Sequence, residues 1–121
     1  MPITNLLGFT RMAKPLTSEQ GRRVLERDQY RCQYCGVDGM ASFENSLIMT
    51  VDFIVPRARG GKNTAANLVT ACRPCNVIKG HRVFAGLPDA KAYVLQRRAE
   101  LQQDWQERMS QLKNRSAAAA H

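Results

Sequence analysis

Apolar positions along this chain fall into short blocks with different periods, and each block predicts an element. Thr17-Ser18-Glu19-Gln20 opens a helix, with Thr17 as cap and Gln20 placed to close a capping box. Val24 and Leu25 give that helix its inward face, and Arg22, Arg23, Arg27 and Arg31 decorate the outside. Residues 47–55 are rich in β-branched side chains and stop at Pro56, which predicts a strand. Gly60-Gly61-Lys62-Asn63 predicts the turn that follows, and Asn67-Leu68-Val69-Thr70 a second short strand. Pro74 suits the first turn of a helix running through Asn76 towards Lys79. After Gly86-Leu87-Pro88, Asp89 is the expected cap of a long helix. Val94, Leu101, Trp105, Met109 and Leu112 then recur at spacings of 7, 4, 4 and 3, one stripe of an amphipathic helix. That stripe is read as core packing, with a homodimer seam as the alternative.

These elements divide the chain into an N-terminal arm (1–16), a folded domain (17–86), a C-terminal helix packed on it (87–113) and a flexible low-complexity tail (114–121). The expected class is α+β, a single small domain. At 121 residues the chain can bury only a thin core. No apolar run approaches the roughly 20 residues of a membrane helix, and the amino end lacks the basic leader and apolar stretch of a signal peptide. The partner expectation therefore excludes membrane.

Charge changes the picture. There are 18 Lys+Arg against 10 Asp+Glu, a formal net charge of +8, and 13 of the 18 are Arg, whose planar fork suits phosphate. Residues 53–88 contain no Asp or Glu but hold Arg57, Arg59, Lys62, Arg73, Lys79 and Arg82. A positive field concentrated on one stretch points to nucleic acid, against the alternative of dispersed solubility charge. Phe84 is the one aromatic after Phe53 within it, so contact through backbone phosphates is expected more than base stacking.

Cys32-Gln33-Tyr34-Cys35 and Cys72-Arg73-Pro74-Cys75 are two Cys-x-x-Cys knuckles with 36 residues between them. Two such pairs supply four thiolates to one tetrahedral ion, so Cys32, Cys35, Cys72 and Cys75 are the expected ligands of a structural zinc. Two disulfides are the alternative; the paired spacing and the missing secretory leader favour zinc and a reducing, cytoplasmic setting. The intervening length exceeds that of a compact ribbon, so folded structure must lie between the knuckles.

The order of motifs is specific. Residues 24–28 (Val-Leu-Glu-Arg-Asp), 30–36 (Tyr-Arg-Cys-Gln-Tyr-Cys-Gly), 51–57 (Val-Asp-Phe-Ile-Val-Pro-Arg), Gly60-Gly61, Asn67-Leu68-Val69, Cys72-Arg73-Pro74-Cys75-Asn76 and Lys79-Gly80 follow one another. Over about residues 22–82 this resembles the zinc-knuckle branch of the HNH endonuclease family. The resemblance implies a ββα-metal finger, in which a hairpin and a helix hold one divalent ion against the scissile phosphate of DNA. It implies Asp52 and Asn76 as oxygen ligands of a catalytic Mg²⁺ or Mn²⁺, and Asn67 as the residue bracing the loop that orients the base. Arg57 or Lys79 would add positive charge nearby.

One position departs from that pattern. Where the family places a His as general base, this chain has Phe53, which cannot accept a proton. His81, the one internal histidine, is the only obvious substitute, although it lies outside the family's base position. The expectation is thus a DNA-binding HNH domain, by resemblance a metal-dependent endonuclease, with hydrolysis weakened or abolished by Phe53. A non-catalytic module binding duplex or branched DNA is the alternative, and an interaction adaptor built on the Trp105 helix a third reading.

Overall fold

The computed structural model describes residues 15–120; the arm predicted for 1–16 lies almost wholly outside them. The first helix, α1, spans Ser18–Arg27. Its capping box is formed: the Gln20 amide donates to Thr17 Oγ1 at 3.1 Å, and the Thr17 amide donates to Gln20 Oε1 at 3.0 Å. Val24 is the residue it buries, and the helix lies against both strands of the sheet.

The strand predicted for 47–55 is shorter at both ends. Ser42 accepts from the Asn45 amide at 3.0 Å and caps a one-turn helix, α2 (Phe43–Leu47), so Leu47 closes a helix and β1 runs over Met49–Phe53. The predicted second strand appears as β2, Leu68–Cys72, antiparallel to β1 with Asp52 opposite Val69 and Phe53 opposite Leu68. All five β2 residues are buried. Between the strands the chain makes two 3-10 turns, Arg57–Arg59 and Ala65–Asn67.

Gly60 and Gly61 make this loop feasible. Gly60 has φ 87°, in the left-handed region. A Cβ on Gly61 would lie 1.7 Å from the Val55 carbonyl oxygen. Gly61→Ala is therefore expected to force the loop open and to destabilise the chain by about 2 kcal/mol or more, read from the urea midpoint with metal saturating.

From β2 the chain passes directly into α3 (Arg73–Lys79), with Pro74 in its first turn, and Gly80 ends it at φ 62°. The last helix, α4, spans Leu87–Ala119. Its N-cap is Gly86, not Asp89; Pro88 occupies the first turn, where its missing N–H costs nothing, and Asp89 follows within that turn. The helix also continues beyond 113, because the terminal alanines are the strongest helix formers.

The core gathers Cys32, Tyr34, Ile54, Val69, Ala71, Cys72 and Cys75 under Ala90 and Val94 of α4. Packing of the α4 stripe holds only at Val94. Leu101, Trp105 and Leu112 are 37%, 53% and 48% exposed, because α3 is the main element α4 packs on and α4 runs past it. None of the described helices is long and apolar enough to cross a membrane.

Arg27, expected as outward decoration, is a tertiary clasp. Its guanidinium forks onto Asp28 at 2.9 and 3.0 Å and donates to the Ala65 and Leu68 carbonyls at 3.0 and 2.6 Å. Asp28 in turn accepts from the Thr70 amide at 2.8 Å. Burial pushes the Asp28 carboxyl up, but the bonds from Arg27 and Thr70 outweigh it and hold it below the usual carboxylate range. The clasp ties the end of α1 to the start of β2, beside the first knuckle.

Candidate active site and metal centre

Folding brings the two knuckles together. The four sulfurs of Cys32, Cys35, Cys72 and Cys75 all lie within 4.8 Å of one another, and Cys35 Sγ is 3.7 Å from Cys72 Sγ. Four sulfurs at a zinc–sulfur distance of about 2.3 Å would be separated by about 3.8 Å along each tetrahedral edge. The set fits zinc closely and does not form disulfides: all four cysteines are free. Hydrogen bonding to Cys75 draws the Cys32 thiol down to about 4, while burial pushes Cys72 up to about 11 and the Cys32 interaction pushes Cys75 up. Four negative charges so close cannot coexist without a cation among them.

A further contact reaches this cluster from α4. Arg98 Nη1 lies 3.5 Å from Cys75 Sγ, directing positive charge at a ligand sulfur from 23 residues away. No spacing rule flags it. Arg98→Met is expected to weaken zinc binding about 10- to 100-fold in a chelator competition while the chain stays folded in excess zinc.

Beside β1 and α3 a cleft of about 280 Å³ is lined by Asp52, Phe53, Arg57, Asn76 and His81, among others. Five residues expected at the site from separate motifs are thus gathered in one cleft, whereas Asn67 lines a different hollow. An adjoining groove shares Asn76 and His81 and adds Thr50 and Arg73. Gly80 turns the chain after α3, and His81 is exposed at the border between the two.

Asp52 is buried. Tyr34 Oη donates to its Oδ2 at 2.5 Å, and Lys79 Nζ lies 3.4 Å from each of its two oxygens. Burial raises the Asp52 carboxyl above its ordinary value, against the opposing pull of Tyr34 and Lys79. Burial and the Asp52 carboxylate likewise hold the Tyr34 hydroxyl firmly protonated, so it donates. A carboxylate has about four lone-pair sites, and these two donors leave capacity for an ion. Asn76 donates from Nδ2 to Thr50 Oγ1 at 3.0 Å, which fixes its amide. The oxygen donors of Asp52 and Asn76 fit a hard cation such as Mg²⁺.

Lys79 corrects an expectation. Predicted among the phosphate-contacting cations, it is completely buried, bonded to Asp52 and, at 3.0 Å, to the Phe53 carbonyl. A carboxylate taken out of water requires a counter-charge, and Lys79 supplies it, so its ammonium does not reach a ligand at the surface. Tyr34, which completes this triad, was not predicted; an aromatic between two knuckle cysteines carries no signal of the acceptor it will meet.

Asn67 clasps the loop. Its Oδ1 accepts from the Val55 amide at 2.8 Å, and its Nδ2 donates to the carbonyls of Val55 and Lys62 at 3.1 and 3.0 Å. The loop carries Arg59 and Lys62, both exposed, and Arg57, whose guanidinium stands 6.0 Å from the Phe53 ring centre. Arg73 is exposed at the start of α3, and Arg82 lies over Tyr93 at 4.9 Å.

A hairpin and helix joined by a four-cysteine knuckle pair define the class: a small ββα finger with four sulfurs placed to hold a metal ion. A family model described as HNH endonuclease matches residues 32–89 of this chain. The CRISPR-associated endonuclease Cas9 of Corynebacterium diphtheriae is 44% identical over 74 residues, 60% of this chain and 6% of that protein. The chain thus spans about 6% of the length of that relative.

Proposed function

We propose that this chain binds DNA through backbone phosphates and presents to it an HNH active site whose hydrolytic step is crippled at Phe53. The observation that carries this reading is the cleft itself, where Asp52, Asn76 and Phe53 meet beside Arg57 and His81. Asp52 and Asn76 would hold Mg²⁺ or Mn²⁺, which when bound supplies positive charge to the scissile phosphate and the leaving oxygen. Arg57 adds charge to the same cleft, and Asn67 keeps the loop after β1 in place. Phe53 occupies the position from which a family His would take the proton of the attacking water, and its ring offers no lone pair.

Arg57, Arg59, Lys62, Arg73 and Arg82 form the proposed phosphate-contacting set, on duplex or branched DNA; the acid-free stretch around them supports it. Thiolate ligands require reducing conditions, which supports a cytoplasmic setting. A second reading, a binding module with no remaining chemistry, is favoured by Phe53 alone. Asp52 and Asn76 speak against it, since a module that only binds has no need of two oxygen donors in one cleft.

Binding should fall steeply with salt. If three to five phosphates are neutralised, log K against log salt has a slope of about −3 to −4.5, and Arg73→Ala reduces the slope by about 1. Fluorescence anisotropy on a labelled duplex measures both. A slope near zero, or no binding at low salt, contradicts the proposed interface.

A further inference from the structure

The exposed half of α4 carries a pattern that its own domain leaves unused. Leu101, Trp105 and Leu112 are 37%, 53% and 48% exposed, and Met109 completes the stripe. A solitary helix in water is marginal, and a stripe holding a Trp gains by being covered. The charges on the same segment are sorted. Residues 99–107 hold Glu100, Asp104 and Glu107 with no Lys or Arg, and residues 108–115 hold Arg108, Lys113 and Arg115 with no Asp or Glu.

We infer that this segment pairs with the same segment of a second copy, antiparallel, about a two-fold axis level with Gln106 and Glu107. In that arrangement Leu101 of one helix stands level with Leu112 of the other, and Trp105 with Met109. The acidic half of each helix lies along the basic half of its mate, and Glu100 comes level with Lys113. A two-fold interface must be self-complementary, and this segment is so in both its apolar and its charged positions. A parallel pair would set acid on acid and base on base, which the same charges disfavour. With four apolar side chains from each helix the seam falls short of a standard interface, so the dimer is weak and depends on concentration.

Sedimentation equilibrium of the full, zinc-loaded chain over a range of concentrations tests this without DNA, independently of the nuclease reading. The expected result is a monomer–dimer equilibrium. Trp105→Ala, which enters the seam twice, should weaken it roughly 100-fold while zinc content and circular dichroism stay unchanged. Glu100→Lys should weaken dimerisation about tenfold, and the double variant Glu100→Lys with Lys113→Glu should restore it, because the reversed pair is again complementary. A chain that stays monomeric at every concentration overturns the inference and leaves this face to a different partner. A Glu100→Lys variant that dimerises like the parent, or a double variant no better than the single one, overturns the antiparallel arrangement.

Discussion

Stripping the metal with a chelator under reducing conditions is expected to unfold the domain, not merely to loosen it. Cys32, Cys72 and Cys75 are themselves part of the buried core, and the knuckles anchor both the turn after α1 and the passage from β2 into α3. Zinc contributes about 10 kcal/mol or more to the folding of small four-ligand domains, as much as the whole stability of a typical domain, about 5–15 kcal/mol. Loss of the ion also leaves four thiol sulfurs crowded within 4.8 Å of one another with no cation among them. The checks are elemental analysis, expected to find about one zinc per chain, and loss of the near-ultraviolet dichroism on chelation. Cys75→Ser should behave like the stripped chain, whereas α4, rich in Ala, Gln and Arg beyond the core, should keep part of its helical signal. A chain with substantially less than one zinc that is nonetheless folded would sink the four-cysteine site.

Replacing Phe53 by His is expected to raise metal-dependent nicking of plasmid DNA by about 10²- to 10⁴-fold, a barrier reduction of roughly 3–5 kcal/mol. Imidazole is smaller than the phenyl ring it replaces, and Phe53 is only half-buried, so the substitution needs no repacking of the core. The backbone that would aim it is already held: the Phe53 carbonyl accepts from Lys79, and the amide two residues on is clasped by Asn67. The base works as neutral imidazole, with an ordinary pKa near 6.5. The gain should therefore grow as pH rises through about 6.5, level off above it, and vanish in acid. If the parent chain retains slow nicking of its own, His81 is the residue to remove first, because it borders the same cleft.

How much of this was legible in advance depended on whether the determinant was local. The Thr17–Gln20 box, Pro74 in the first turn of α3 and the paired knuckles are decided within a few residues, and each is found where its spacing places it. The start of β1 was not, because Leu47 and Ile48 suit a strand by composition while Ser42, five residues earlier, caps a helix that captures Leu47. Lys79 misleads for a related reason: in sequence it is one more cation in a basic stretch. Only the fold shows that Asp52 is buried beside it and that its ammonium answers that charge. Arg27 is similar, an arginine read as outward-facing that reaches carbonyls only folding brings near, and Arg98, four residues after Val94 on the face of the apolar stripe, meets Cys75 only in the folded chain. The α4 stripe shows the converse, since periodicity reports that a face is apolar and is silent on whether anything in the chain covers it.

The most direct test of the central claim is plasmid nicking with Mg²⁺ or Mn²⁺ by three zinc-loaded proteins: the parent chain, Phe53→His, and Phe53→His combined with Asp52→Ala. Weak or no cleavage by the first, clear cleavage by the second and its loss in the third are expected, with all three binding the plasmid at low salt. Cleavage by the parent chain as fast as by Phe53→His, or cleavage by Phe53→His that survives removal of Asp52, would contradict it.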